Sequence, residues 1–259
     1  MAIGKQAGRS GRASVVAAAM GVASASAQPL TTTFAGGGQA AGMMFDLRIS
    51  APEITIQHFE VAMNMPSGTA FSYAVWSREG THVGHESSAQ GWVLRLQTTF
   101  GGVGSGGLAF IGMGTGPVVS GQVLGVFIEI TQSPASEPLV YTPIPPALPT
   151  YSNSLVTLSG GVAKGPGGFS GATTPNSMVN ATVRVGTCYV NCTQGTVVPY
   201  LNVGDFVCFN NRYVSDLERP VALHVSAYSN CDRSTVPPVL SVNDFICFMN
   251  KFAAGCSAP

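Results

Sequence analysis

The chain has 259 residues, enough for one large domain or two small ones, and its formal net charge is zero. This balance offers no broad basic surface and argues against a nucleic-acid-binding protein. Charged residues make up only 9% of the chain, whereas it has 32 glycines and 17 prolines. That composition favours short strands joined by many turns over long helices.

The N-terminus has the successive zones of a secretory signal peptide. Lys5, Arg9 and Arg12 precede the apolar run ASVVAAAMGVASA, which is too short to span a bilayer. Ala25-Ser26-Ala27 then fits the small-residue rule for cleavage. We therefore predict a signal peptide over residues 1–27 and secretion of the rest, with a structureless tail as the alternative. No later apolar run reaches membrane length, so we predict no membrane span in the exported protein.

From Thr31 to Val185 the sequence is a succession of short strand-like segments. They are rich in β-branched and aromatic residues and are separated by glycine-rich or polar turns, as in EITIQHFEVAM, FSYAVWS, WVLRLQTTF, GLAFIGM and QVLGVFIEI. This pattern predicts an antiparallel, jelly-roll-like β-sandwich over residues 28–186. We interpret the proline-rich segment Ser133–Pro149 as a loop or edge excursion within the sandwich, and a linker between domains is the alternative.

After Val185 the sequence repeats itself. Tyr189–Tyr213 aligns without gaps to Tyr228–Phe252, at a shift of 39 residues, and this predicts a duplicated loop–helix unit in residues 187–259. In each copy aromatic residues recur at i, i+3 and i+7, which is the spacing of one helix face. They are Phe206, Phe209 and Tyr213 in the first copy and Phe245, Phe248 and Phe252 in the second.

All six cysteines lie in this C-terminal region, as in a disulfide framework of an exported protein. The repeat predicts the bridges Cys192–Cys208 and Cys231–Cys247, each worth about 3 kcal/mol. Packing of the two copies around a two-fold axis would bring the remaining pair, Cys188 and Cys256, together. Zinc is the alternative, although only Cys188 and Cys192 have the close spacing of a zinc site.

The second copy presents oxygen-bearing groups in the order of a calcium-binding loop. An EF-hand takes ligands at the first, third, fifth, seventh, ninth and twelfth loop positions, the seventh through its backbone carbonyl. With three extra residues in mid-loop, the matching groups are Asn230, Asp232, Ser234, the Val239 carbonyl, Ser241 and Asp244. As an alternative, Asp244 has a structural role at the start of the helix, where its charge suits the helix dipole.

The first copy is a poorer calcium loop than the second. Thr193 and Gly195 stand where the second copy has Asp232 and Ser234. We therefore predict calcium as a cofactor of the second copy only, with a dissociation constant of about 10⁻⁴–10⁻³ M, as in extracellular modules.

The two repeats, with the pattern NCDxSTxxPxLxVxDFxCF and a closing AAGC, resemble the dockerin-type tandem repeats at the C-termini of many secreted bacterial proteins. The resemblance implies calcium held in EF-hand-like loop–helix units. It also implies a cohesin-like or cell-envelope protein as partner, bound through exposed helix faces. The preceding region, with GMMFDLRI and GGVAKGPGGFSG, is similar to β-sandwich domains found upstream of such tails.

The residues that suggest catalysis lack the context that catalysis needs. His82 and His85 lie near Glu86, but between strands rather than on the helix face that a zinc protease requires. GVGSGG, residues 102–107, matches a dinucleotide pattern without the surrounding strand–helix–strand unit. We therefore predict a protein without enzymatic activity.

Our main hypothesis is a secreted binding or adhesion protein whose tail docks to a cell-surface or extracellular partner. One alternative is a carbohydrate-binding sandwich that holds a polysaccharide with Tyr73, Trp76 and Trp92. The other is an extracellular hydrolase built around His82, His85 and Glu86.

Overall fold

A computed structural model of the chain describes residues 29–113, 117–144, 149–193, 201–221, 224 and 227–256. The predicted signal peptide lies outside these residues. The strands are β1 Leu30–Thr31, β2 Gly38–Ala40, β3 Gly42–Ile49, β4 Glu53–Met63, β5 Ala70–Glu79, β6 Val93–Gly101, β7 Gly107–Gly112, β8 Val118–Val119, β9 Val123–Gln132, β10 Leu139–Pro143, β11 Thr150–Ser152, β12 Val156–Lys164, β13 Thr173–Val179 and β14 Ala181–Gly186. The helices are α1 Val203–Leu217 and α2 Val242–Ala254, and a 3-10 turn spans Gly168–Ser170.

The predicted fold class is confirmed, because an antiparallel β structure is followed by two helices in a disulfide-rich region. The main strand order is β1-β14-β4-β10-β13-β12-β3-β9-β5-β6, and β7 and β8 pair with β4. Strands distant in this order face each other across one core: Phe45 of β3 meets Phe59 of β4 edge to face at 5.6 Å between ring centroids. The sheet therefore folds over itself as a sandwich.

Strand β3 shows why these segments form a two-sided sheet. Met43, Phe45, Leu47 and Ile49 enter the main core, whereas the alternate residues face the other side. Met44, on that other side, joins a smaller cluster with Trp92, Phe127 and Val162, which Trp76 and Phe169 cover. The two faces of β3 are thus both buried over part of its length.

The described part of the proline-rich segment, residues 133–144 and 149, belongs to the sandwich. Strand β10 forms within it and pairs with β2 and β13. Strands β12 and β14, which follow the segment, pair with β3 and β4, which precede it. The strands on both sides of the segment therefore share one hydrogen-bonded sheet, as the excursion interpretation predicts.

A buried lysine fastens the loop after β12. Lys164 is 1% exposed, and its Nζ donates to the carbonyls of Phe169 and Gly171 and to the Thr173 hydroxyl. Burial lowers the pKa of Lys164. These bonds hold the 3-10 turn, and with it the Phe169 ring, against the smaller cluster.

Each C-terminal helix begins with a capping box. The Asn202 side chain accepts from Gly204 N at 2.7 Å at the start of α1, and the Ser241 hydroxyl accepts from Asn243 N at 3.2 Å at the start of α2. In turn, the Asp205 carboxylate accepts a hydrogen bond from the backbone N–H of Asn202, and the Asp244 carboxylate accepts one from the backbone N–H of Ser241. Such caps satisfy amide groups that the first helical turn would otherwise leave unpaired. In the described part of the chain, no helix has the length and apolarity needed to cross a membrane.

Candidate functional site

The two repeats pack around an approximate two-fold axis. Tyr189 Oη donates to the Tyr228 carbonyl at 2.7 Å, and Tyr228 Oη donates to the Tyr189 carbonyl at the same distance. Phe209 stacks on Phe248 at 4.1 Å with 20° between the ring planes, and both side chains are fully buried. Both pairs join residues 39 positions apart, so equivalent residues of the two copies meet at the axis.

The six cysteines form three disulfides within this module. The pairs are Cys192–Cys208, Cys231–Cys247 and Cys188–Cys256, with Cα–Cα distances of 5.8, 5.8 and 5.6 Å. These are the pairs that the repeat predicts. The zinc alternative does not hold, because no cysteine in the structure is left as a free thiol. Three disulfides indicate an oxidising environment.

A fully buried aspartate ties the loop to the helix in each copy. Asp205 accepts from the Thr193 backbone N–H at 2.9 Å and from Asn202 N at 2.9 Å. Asp244 accepts from Asp232 N at 3.3 Å and from Ser241 N at 2.8 Å. The structural role that the sequence offers for Asp244 is therefore present, and Asp205 repeats it.

The two copies differ at the residue beside this aspartate. In the first copy the Thr193 hydroxyl donates to Asp205 Oδ1 at 2.7 Å. In the second copy the same position holds Asp232, whose carboxylate faces Asp244. Burial raises the pKa of Asp244, and the neighbouring Asp232 charge adds to this, whereas hydrogen bonds from Ser241 and Asp232 backbone amides oppose it. The second loop thus holds two close carboxylates where the first holds a hydroxyl–carboxylate hydrogen bond.

The remaining predicted calcium ligands lie in the same loop and take part in its hydrogen bonds. Asn230 Nδ2 donates to the Ser234 carbonyl at 3.0 Å, and Ser234 Oγ donates to the Val236 carbonyl at 3.2 Å. Val239 is buried, and Ser241 caps α2. Among the described residues no three His, Cys, Asp or Glu side chains gather as a metal site.

The outer face of each helix is apolar and exposed. Val203, Val207, Val214 and Leu217 follow one another along α1 at helical spacing, and Val242, Ile246 and Met249 follow one another along α2. Val203 is 77% exposed and its counterpart Val242 is 69% exposed. We call these two rows the outer stripes. Sequence reasoning from the aromatic face missed them, although the same spacing opposite the phenylalanines would have revealed them.

The aromatic residues proposed for carbohydrate binding pack within the protein. Tyr73 is buried, and its hydroxyl accepts from Gly112 N at 3.3 Å. The Trp92 indole N–H donates to the His85 carbonyl, and the Trp76 indole N–H donates to Glu129 at 3.1 Å. Tyr73 therefore belongs to the main core, and Trp76 and Trp92 belong to the smaller cluster.

The residues proposed for a hydrolase have different surroundings from one another. His82 is buried, and its Nδ1 lies 2.8 Å from Asp46 Oδ1 on β3. His85 is exposed and Glu86 is half-buried. The Asp46–His82 pair fastens the loop to the sheet, and sequence reasoning did not foresee it because Asp46 lies 36 residues earlier.

The module also contacts the sandwich. Glu53, at the start of β4, accepts from Arg233 at 3.0 Å and from Lys251 at 2.8 Å. On the other side, the Arg219 guanidinium donates to the carbonyls of Leu94 and Arg95 on β6.

Compared with known protein families and with curated proteins, the chain matches none of them.

Proposed function

We propose that this is a secreted, non-catalytic binding or adhesion protein whose C-terminal repeat module docks to a protein partner at a cell surface. The outer stripes are the observation that supports docking. Both helices carry exposed rows of valine, isoleucine, leucine and methionine side chains, whereas their opposite faces are buried in the core of the module. Exposed apolar rows of this kind mark protein–protein contacts more often than free surface.

The approximate two-fold symmetry makes the two stripes near-equivalents of each other. A partner groove that accepts Val203 and Val207 meets Val242 and Ile246 in the same positions when the module is turned about its axis. The partner surface should therefore be an apolar groove, with polar groups at its rim. Export is part of the proposal and is supported by the leader-like N-terminus and by the disulfides.

Calcium belongs to the proposal for the second loop alone. A divalent cation beside Asp232 and Asp244 would neutralise two carboxylates that otherwise repel, and hard oxygens are the ligands that calcium prefers. In the first loop the Thr193 hydroxyl donates a hydrogen bond to the buried Asp205 carboxylate in place of a second charge, so an ion would give this loop no comparable stabilisation.

The test is capture of a partner from cell-envelope extract by the full oxidised chain, with calcium and with a chelator in separate arms. The double variant Val207→Glu, Ile246→Glu places a charge in each stripe and should reduce capture of the same protein at least about tenfold. Val83→Glu is the matched control, because Val83 is a valine on the sandwich that is at least as exposed as Val207 and Ile246. Docking through the stripes is wrong if the double variant captures as much partner as the control.

A further inference from the structure

Three arginines converge where the module meets the sandwich. Arg95 from β6, Arg212 from α1 and Arg219 just after α1 line a cavity of about 200 Å³. Residues 28–259 contain only nine basic side chains against twelve acidic ones, so three of the nine lie at this one place. A concentration of positive charge at a cavity is unexpected in residues 28–259, whose acidic side chains outnumber their basic ones.

The protein holds these guanidinium groups in defined positions. Arg219 is fixed by the carbonyls of Leu94 and Arg95, at 3.2 and 3.3 Å. Arg212 lies over the Tyr228 ring at 4.7 Å from its centroid. Arg95 Nε donates to the buried Ser77 hydroxyl. Positions fixed in this way suit recognition, because little side-chain freedom remains to be lost on binding.

Among the described residues, one carboxylate lines the cavity together with the three arginines. Asp216 is the carboxylate that lines the cavity in the described residues, and it already accepts from Arg219, from Ser229 N and from the Ser229 hydroxyl. Burial and the charge of Arg219 lower the pKa of Arg95 to about 10, although Glu79 acts in the opposite direction. An anion in the cavity would offset this unfavourable placement of like charges.

A second cavity lies beside the first and has a different lining. It has a volume of about 220 Å³ and shares Arg212 and Tyr228 with the arginine cavity. Thr55, Gln57 and Phe110 also line it, so it presents a hydroxyl, an amide and an aromatic ring. This combination suits a small polar ring with hydroxyl groups, as in a sugar.

We propose that the arginine cavity binds the carboxylate of a small acidic sugar, whose ring extends into the adjoining cavity. The planar fork of a guanidinium matches a carboxylate with two parallel hydrogen bonds. Arg212 is the arginine that lines both cavities, so it is the group best placed to meet the carboxylate. The same carboxylate could arrive on a free uronic acid or on the end of an acidic polysaccharide.

The experiment is calorimetric titration of the full oxidised chain with sodium glucuronate, with glucose as the neutral match and with ionic strength held constant. Glucuronate should bind and glucose should not. Arg212→Gln should weaken glucuronate binding about tenfold or more, the loss of one charge-assisted contact. Arg48→Gln should bind like the wild type, because Arg48 is an exposed arginine of β3 that does not line either cavity.

Further arms separate the sources of the carboxylate and control for folding. If a glucuronate oligomer binds more tightly than the monomer, the ligand is the end of an acidic polysaccharide. If the two bind equally, the ligand is the free uronic acid. Arg212→Lys keeps the charge without the fork and should bind with intermediate affinity. The proposal is overturned if glucuronate gives no heat, if glucose binds equally, if Arg212→Gln binds like Arg48→Gln, or if an acidic peptide binds more tightly than glucuronate.

Discussion

At the scale of single residues, one exchange distinguishes the two halves of the repeat. Thr193 donates a hydrogen bond to a buried aspartate, and its counterpart Asp232 brings a second negative charge to the same place. Burial and this charge raise the pKa of Asp244 above its ordinary value of 3.8. An acid whose pKa is raised on folding favours the folded state most at low pH, and that contribution is lost as the pH rises through the folded-state pKa.

We therefore expect Asp232→Asn to increase the free energy of unfolding at neutral pH in the presence of a chelator. The gain should be at most about 1 kcal/mol, because Asp232 is exposed and its charge is screened by solvent. Asparagine retains an acceptor for the bond from Ser234 N. The measurement is denaturant unfolding under non-reducing conditions at several pH values. The gain should shrink as the pH falls towards 3.8, because Asp244, whose pKa is raised above that value, becomes protonated and no longer repels Asp232. In millimolar calcium the wild type should gain stability and the variant should not.

The first copy supplies the mirror-image control. Thr193→Asp places a carboxylate beside Asp205, so it should lower the stability at neutral pH by a similar amount. A destabilised Asp232→Asn in chelator would contradict the account, because it would mean that the second carboxylate stabilises the loop.

The sequence could predict the order of the polar groups in this loop but not which groups they would contact. The sequence alone shows oxygen-bearing side chains at every second position, in Asn230, Asp232 and Ser234. Asp244 is completely buried and accepts hydrogen bonds from the Asp232 and Ser241 amides. This arrangement depends on how the loop and the helix fold together, which the local sequence does not encode. The same limit applies to the arginine cavity, since Arg95 and Arg219 lie 124 residues apart in sequence.

At the scale of secondary-structure elements, the two helices are held together by stacked rings. Phe209 also meets Phe245 at 5.4 Å, and Phe206 meets Phe248 at 6.4 Å, which are equivalent contacts under exchange of the two copies. The aromatic i, i+3, i+7 pattern was sufficient to predict this face. It could not predict which rings would stack at the axis.

We expect Phe248→Ala and Phe209→Ala to lower the free energy of unfolding of the module by similar amounts, about 3–5 kcal/mol each. Both side chains are fully buried and each is the other's stacking partner. The double variant should cost less than the sum, because the first truncation already removes the shared contact. Denaturant unfolding with the disulfides intact is the measurement. Ile246→Ala, on the exposed face of α2, should change stability by no more than about 0.5 kcal/mol.

The strands that the sequence predicts are those with regular β-branched and aromatic content, whereas β13 has no such local pattern. The segment TTPNSMV, which forms β13, contains a proline and an asparagine, and Asn176 has a φ of 54°. Such residues are typical of turns. The segment becomes a strand because β12 and β10 pair with it on both sides, which is a tertiary effect that local sequence does not encode.

At the scale of the whole molecule, Glu53 makes an ionic contact between the sandwich and the second repeat. Its two oxygens accept from Arg233 and Lys251, about 180 and 200 residues further along the chain. Arg219 fastens the other side through backbone carbonyls, which no side-chain change on the sandwich can remove. Among the described residues, these polar contacts thus hold the module at two places, and the contact at Glu53 is the one that depends on the charge of the sandwich.

We expect Glu53→Lys to loosen the module without unfolding either part. Reversal of the charge replaces two attractions with two repulsions, each worth about 1 kcal/mol or less at these partly exposed positions. Hydrogen exchange and limited proteolysis should therefore become faster around residues 186–188, where the sandwich joins the module. The difference from the wild type should shrink at high salt, because screening weakens both the attraction and the repulsion.

Charge exchange separates this ionic effect from a packing effect at the same position. Adding Lys251→Glu to Glu53→Lys restores one opposite-charge pair, so exchange at the junction should return part of the way to the wild-type rate. Glu137→Lys, a similar change at a half-buried glutamate of the proline-rich segment, should leave the junction unaffected. If the double variant were as loose as Glu53→Lys alone, the contact would depend on the shape of the Glu53 side chain, and Arg219 would then be the stronger of the two attachments.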